Sequence, residues 1–123
     1  MSDTNTKYHK IKHLVEIEDD ILAVFTLILG KQNQIENVSI AKNANITRNF
    51  VDSIFNKLQD KLENIKSEID TNTIAGPLKW TIYETDRIRI LIIYETDCAV
   101  IILIKSNTSL SETVDNIFGY YYE

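Results

Sequence analysis

Residues 20–29 read Asp-Ile-Leu-Ala-Val-Phe-Thr-Leu-Ile-Leu, and the structure that this stretch adopts decides the fold of the chain. It is a continuous apolar run that contains β-branched and aromatic residues, and Gly30 and the polar residues 31–34 end it. These features predict a strand that is buried on both of its faces. Periodicity alone does not separate such a run from a buried helix, and the helical alternative leads to a different fold.

Two shorter segments flank this run. Upstream, apolar residues at helical spacing around Leu14 predict a short helix over about residues 6–18, preceded by a polar, flexible N-terminus at residues 1–6. Downstream, Ile35, Asn37 or Val38, and Ile40 are compatible with a second strand that pairs back across the turn. Residues 20–41 are therefore predicted to form a β-hairpin.

A long helix is the clearest single element of the sequence. Its apolar residues advance by three or four positions each time: Ile46, Phe50, Ile54, Leu58, Leu62, Ile65 and Ile69. The spacing predicts a helix over about residues 47–69. Residues 70–77, which end in Gly-Pro, cannot continue that helix.

Residues 78–105 change to a strand pattern and predict a three-stranded antiparallel meander. The pentapeptide Ile-Tyr-Glu-Thr-Asp occurs at 82–86 and again at 93–97, so each of the first two strands is predicted to end at its tyrosine and to turn on Glu-Thr-Asp. Residues 109–112 form a capping box, and apolar residues at helical spacing after it predict a last helix. The element order is α-β-β-α-β-β-β-α, an α+β fold in a single domain over residues 7–123.

Composition excludes several classes of function. The net charge of -5 disfavours nucleic-acid and anionic-membrane partners, and no apolar run is long enough to span a bilayer. The single cysteine cannot form an intramolecular disulfide, which fits a cytoplasmic protein. His9, His13 and Glu16 share a helical face, but two histidines and no cysteine ligands are a poor metal site. With no catalytic or phosphate-binding motif, we expect neither an enzyme nor a bound cofactor.

An alternative hypothesis is that the protein binds DNA. Residues 40–54 resemble a helix-turn-helix in which Ala41 lies in the first helix, Asn45 occupies the turn, and Thr47 and Arg48 face the groove. This winged helix-turn-helix regulator, with its motif at about 38–58, requires residues 21–29 to be helical. The hairpin at 78–97 would then be the wing.

The hairpin at 20–41, the long helix at 47–69, the meander and the capped last helix together resemble the roadblock/dynein light-chain family of archaeal or bacterial type. These are small profilin-like domains related to longins. The resemblance covers residues 6–123. It implies a five-stranded antiparallel sheet with the long helix on one face and the terminal helices on the other.

The resemblance also implies a function. Two copies would join through the edge strand at 78–83 and the helix at 47–69, and the homodimer would act as a non-catalytic adaptor or regulator of a small Ras-like GTPase or of a motor or signalling complex. The implied contact residues are Leu78, Trp80, Thr81 and Tyr83 on the strand and Arg48, Asp52, Asn56 and Lys57 on the helix. Thr81 is predicted to supply a backbone donor at the open edge.

Overall fold

The computed structural model describes residues 12–16, 18–30, 34–42, 44–106 and 109–122. Helix α1 is described over residues 12–16, so residues 1–11 and 17 of the predicted N-terminus and first helix lie outside the described residues. The other helices are α2, Arg48–Asp70, and α3, Leu110–Tyr122. The strands are β1, Ile21–Ile28; β2, Ile35–Ile40; β3, Trp80–Glu84; β4, Ile88–Tyr94; and β5, Cys98–Lys105.

The five strands form one antiparallel sheet in the order β2-β1-β5-β4-β3. Both faces are covered, since α2 packs on one and α1 and α3 pack on the other. The central strands β1 and β5 therefore bury side chains in both directions, as the apolar run at 20–29 predicts. The predicted α+β architecture is confirmed. No helix within the described ranges combines the length and the apolar character needed to cross a membrane.

Helix α2 begins where a side chain can satisfy its first backbone donors. Thr47 is the N-cap, and its hydroxyl accepts a hydrogen bond from the backbone N–H of Phe50 at 3.1 Å. The helix then buries Phe55 against the sheet, edge-to-face with Phe25 at a centroid distance of 5.0 Å. Burial of one apolar stripe fixes this helix over the sheet.

The helix-turn-helix alternative is wrong. Residues 21–28 are a strand rather than a helix, and residues 38–40, where the predicted motif begins, belong to β2. Thr47 caps α2 instead of facing a groove. The β-branched and aromatic residues of β1 favour a strand because they pack well on a pleated surface covered on both sides.

The outer strand β2 carries a β-bulge. Asn37 and Val38 both lie opposite Phe25, between the pairs Val24–Ser39 and Thr26–Glu36. Asn37 has φ of 57°, a left-handed conformation that asparagine tolerates better than most residues. The bulge explains why the sequence allows either residue 37 or residue 38 in the strand pattern. It also disrupts the outer edge of β2 as a template for further pairing.

The two Ile-Tyr-Glu-Thr-Asp repeats turn one residue out of phase. In the first, Thr85 donates its N–H to the carbonyl of Ile88, whereas in the second Glu95 donates to Cys98, both at 2.8 Å. The prediction that each strand ends at its tyrosine is therefore wrong for the first repeat, where β3 continues through Glu84. Thr85 takes over the closing position because its hydroxyl also bonds the backbone of Ile88.

Candidate interface at the edge of the sheet

Strand β3 forms the second edge of the sheet and pairs only with β4 among the described strands. Its register is regular, with Trp80 opposite Ile93 and Glu84 opposite Arg89 and no shift between them. The backbone bonds that flank this register join Tyr94 N–H to the Lys79 carbonyl and Thr85 N–H to the Ile88 carbonyl. Unlike β2, this edge strand pairs without a bulge.

Those two flanking bonds determine which backbone groups of β3 face outward. Antiparallel pairs alternate between hydrogen-bonded and non-bonded, and residues 79 and 85 belong to the bonded set. Thr81 and Tyr83 therefore direct their backbone groups to β4. The outward N–H and C=O groups are those of Trp80, Ile82 and Glu84. The prediction that Thr81 supplies a backbone donor at the open edge is therefore wrong, because its N–H faces β4. The outward donors belong to the residues on either side of it, Trp80 and Ile82.

The side chains of β3 alternate between the two faces of the sheet. Ile82 packs with the core under α1 and α3, and Trp80 lies beside Phe118 of α3 at a centroid distance of 5.2 Å. Thr81 and Tyr83 point to the other face, the one that carries α2. Trp80 and Tyr83 are 43% and 44% exposed. Each face of this edge strand thus presents a large aromatic side chain to solvent.

The predicted contact residues of α2 do not all lie beside β3. Asp52 and Asn56 lie on one flank of the helix. The same flank carries Gln59 and Glu63, since the four residues are spaced at i, i+4, i+7 and i+11. Arg48 lies one turn earlier and forms an ion pair with Asp52 at 3.1 Å. Gln59 donates to the Ile28 carbonyl, and Glu63 accepts from the Gly30 N–H. This flank therefore faces the β1–β2 hairpin, at the far side of the sheet from β3.

The opposite flank of α2 faces β4 and β3 and is largely apolar. Ile54, Leu58 and Ile65 follow one another at i, i+4 and i+11, and Lys57 and Lys61 border them. Ile54 is 40% exposed and Ile65 is 38% exposed, although both belong to the stripe that the sequence assigns to the core. We call Ile54, Leu58 and Ile65 the α2 ridge. In the sequence, the α2 ridge is indicated by the width of the apolar stripe, because the stripe is wider than the part of the helix that the sheet covers.

The chain enters β3 from the end of α2 through a fixed connection. Asp70 accepts a hydrogen bond from the Leu78 N–H at 2.7 Å and pairs with the ammonium group of Lys66. Leu78 lies ahead of β3, whose first residue is Trp80, and packs against the core under α2. Asp70 therefore ties the start of the edge strand to the last turn of the helix.

Asp70→Asn is expected to lower the melting temperature at neutral pH, with a smaller effect in acid. The Lys66 hydrogen bond, followed by the bond from Leu78, holds the pKa of Asp70 below its usual value of 3.8. A lowered folded pKa gives stability that is present above the unfolded pKa and lost as the pH falls through the folded one. Thermal melts at pH 7 and at about pH 2 test this. An equal loss at both pH values would contradict the role assigned to the charge.

A groove of about 540 Å³ opens where β3 begins. Aromatic side chains line much of it, namely those of Trp80, Tyr94 and Tyr122, with Lys66 and Glu95 at its border. Burial raises the pKa of the Tyr94 hydroxyl. Within the described ranges, no group of three or more His, Cys, Asp or Glu residues is placed to hold a metal ion, and His9 lies outside them.

No protein-family model and no curated protein sequence matches the chain. Solved structures do match its fold. A roadblock/LC7 domain from Streptomyces avermitilis superposes with a TM-score of 0.68 at 9% identity, over 93% of this chain and 90% of that one. MglB from Myxococcus xanthus gives 0.67 at 11% identity, over 99% and 87%. An MglB structure with a tetrameric arrangement gives 0.68 at 8% identity, over 95% and 85%. The predicted resemblance is confirmed at the level of fold, and the chain has the architecture of the roadblock/LC7 domains.

Proposed function

We propose that the protein is a non-catalytic homodimeric adaptor or regulator of a small Ras-like GTPase or of a motor or signalling complex. The dimer would form through β3 and the α2 ridge. The observation that carries this proposal is the contrast between the two edges of the sheet. The edge at β2 is interrupted by a bulge, whereas β3 is regular and directs the backbone groups of Trp80, Ile82 and Glu84 outward.

The side chains beside this edge support pairing between copies. Ile54 and Ile65 of the α2 ridge and Tyr83 of β3 are all partly exposed on the same face of the sheet. Two copies related by a two-fold axis would bring their ridges together when their β3 strands pair, because the ridge lies on the β3 side of α2. Backbone bonds would then give affinity, and the apolar side chains would be removed from water.

The roadblock resemblance implies the regulatory role, and the structural matches support assembly between copies of the chain. MglB, which has the same fold, is found in a tetrameric arrangement, so assembly through copies of this fold occurs elsewhere. A continuous sheet across two copies would leave the Arg48–Asp52–Asn56 flank of each α2 on the outside, facing away from the pairing edge. We propose that this polar flank is available to a further protein such as the GTPase.

Ile82→Pro is expected to convert the dimer to a monomer. Proline removes the outward N–H of residue 82 and places its ring on the pairing edge, while the bonds to β4, which come from Thr81 and Tyr83, remain. Light scattering should give a mass near 14.2 kDa for the variant and twice that for the parent.

Two matched variants separate pairing from folding. Ile82→Ala shortens the same side chain but keeps the outward N–H, so we expect it to remain dimeric. Thr81→Pro removes a donor that faces β4, so it should lower the melting temperature more than Ile82→Pro does. A parent protein with monomer mass, or an Ile82→Pro variant that keeps the dimer mass, would overturn the proposed dimer.

The GTPase assignment has its own test. Ras-like GTPases from the same genome, loaded with GTP or GDP analogues, can be titrated with the dimer by calorimetry. We expect one of them to bind, with different affinities for its two nucleotide states, and Asp52→Lys to weaken that binding while leaving the dimer mass unchanged. Absence of binding in both states across the set would contradict GTPase regulation and leave the dimer intact.

A further inference from the structure

Trp80 is the only tryptophan of the chain and lies at the start of the edge strand. Its ring lies beside that of Phe118 at a centroid distance of 5.2 Å and an angle of 54°, yet the residue is 43% exposed. No described residue accepts a hydrogen bond from its indole N–H. An indole that packs against one neighbour and is partly exposed has both an apolar surface and a donor available to a partner.

The opposite end of β3 carries an ion pair on the same face of the sheet. Arg89 Nε lies 3.3 Å from Glu84 Oε1, and the Arg89 side chain is only 10% exposed, whereas that of Glu84 is 58% exposed. Glu84 and Trp80 are four residues apart in one strand, so both point to the face that carries α3. The carboxylate of Glu84 is held by a buried guanidinium and remains accessible from the edge.

The outward backbone groups select one register for two antiparallel copies of β3. Outward residues can bond only to outward residues, so a two-fold axis can pass through position 81, 82 or 83. An axis at Ile82 pairs all three outward residues of each copy, because Trp80 meets Glu84 and Ile82 meets its own counterpart. An axis at Thr81 or Tyr83 pairs only two of the three within β3. Pairing about Ile82 therefore satisfies the most backbone groups.

We propose that the dimer pairs about Ile82 and that the indole N–H of Trp80 donates a hydrogen bond to the Glu84 carboxylate of the partner subunit. This inference rests on the proposed dimer and adds its register and a specific contact. Residues directly opposite in such a pair have Cβ atoms about 5 Å apart, within reach of an indole and a carboxylate. Each dimer would contain this contact twice, with Arg89 keeping the carboxylate in place.

Disulfide trapping can determine the register between the two β3 strands of the dimer. In a Cys98→Ala background, which removes the only native thiol, Thr81→Cys and Tyr83→Cys are made separately, and one of them carries a mass tag. Both positions are non-bonded toward the outer edge, where facing Cβ atoms come closest. Pairing about Ile82 places residue 81 opposite residue 83. The two proteins, mixed by refolding and oxidised with glutathione, should give the mixed-mass dimer on a non-reducing gel.

The other outcomes distinguish the inference from the proposed function. A homodimer of Thr81→Cys alone, or of Tyr83→Cys alone, would show that β3 pairs about position 81 or 83, which keeps the dimer and overturns the Trp80–Glu84 contact. No trapping with a dimer mass in light scattering would show that another surface joins the copies. No trapping with a monomer mass would overturn the dimer together with its register.

The contact itself is tested by a double-mutant cycle on dimer dissociation. Trp80→Phe keeps an aromatic ring without the donor, and Glu84→Gln keeps the shape without the charge. We expect each to weaken the dimer about ten-fold and the double variant to weaken it by a similar factor. Glu36→Gln, an exposed glutamate on β2, is the matched control and should leave dissociation unchanged. An additive loss of about 100-fold, or no loss in either single variant, would overturn the contact.

Discussion

Replacing Phe55 with alanine is expected to lower the free energy of unfolding by about 3–5 kcal/mol. Phe55 is 1% exposed, lies in the first half of α2 and packs edge-to-face on Phe25 of the sheet. The loss combines the transfer of the ring out of water with the cavity that it leaves, because the flanking strands β1 and β5 are held in register and cannot collapse into the space. It is the largest apolar side chain that α2 buries completely.

Urea denaturation at fixed protein concentration measures this loss, since association of copies adds its own stability. Ile74→Ala is the matched control. Its side chain is almost fully exposed in the loop after α2, so the change should stay within about 0.5 kcal/mol. A loss below about 1 kcal/mol for Phe55→Ala would contradict the placement of α2 over the sheet.

The strands could be predicted from the sequence where one physical signal dominated. The run at 20–29 is apolar on both of its faces and contains β-branched and aromatic residues, which together favour a strand covered on both sides. The bounds of β2 and α2 followed from periodicity to within one residue. In each of these segments local preference and tertiary burial favour the same structure, which is the condition under which pattern analysis succeeds.

The turns could not be predicted to the residue. Both repeats place tyrosine on the face of the sheet that carries α2, yet β3 runs on through Glu84 while β4 ends at Tyr94. The contacts at the two corners differ. At the first, the Thr85 hydroxyl closes the turn and Glu84 pairs with Arg89 across the hairpin, whereas at the second Glu95 binds the hydroxyl of Tyr121 in α3. Identical pentapeptides therefore end their strands at different residues.

At the candidate interface, the sequence could not show which backbone groups of β3 face outward. Sequence patterns show that β3 is amphipathic, but they do not show which alternate backbone groups face outward. That depends on the register with β4. Ile54 and Ile65 likewise read as core residues, since a helical stripe reveals its width and not the extent of the sheet beneath it. The β3–β4 register and the area of sheet beneath α2 both depend on how elements pack together, which the periodicity of a single element does not reveal.

Tyr121→Ala is expected to lower the free energy of unfolding by about 3–5 kcal/mol, and Tyr121→Phe by about 1–2 kcal/mol. Tyr121 is fully buried under α3, and its hydroxyl donates to the carboxylate of Glu95 at the β4–β5 turn. Tyr122→Ala is the matched control, because its neighbouring ring is half exposed and should cost about 1 kcal/mol or less. Equal losses for Tyr121→Ala and Tyr122→Ala would contradict the docking of α3 through Tyr121.

The same residue predicts an alkaline limit to stability. Burial, followed by the hydrogen bond to Glu95, raises the pKa of Tyr121 above its usual value of 10.0. Above pH 10 the unfolded chain loses the phenol proton that the folded chain keeps, so stability falls as the pH rises. Tyr121→Phe removes this titration, and its stability deficit relative to the parent should narrow between pH 9 and about pH 11. A deficit that stays constant across this range in denaturant titrations would show that Tyr121 ionises equally in the folded and unfolded chains.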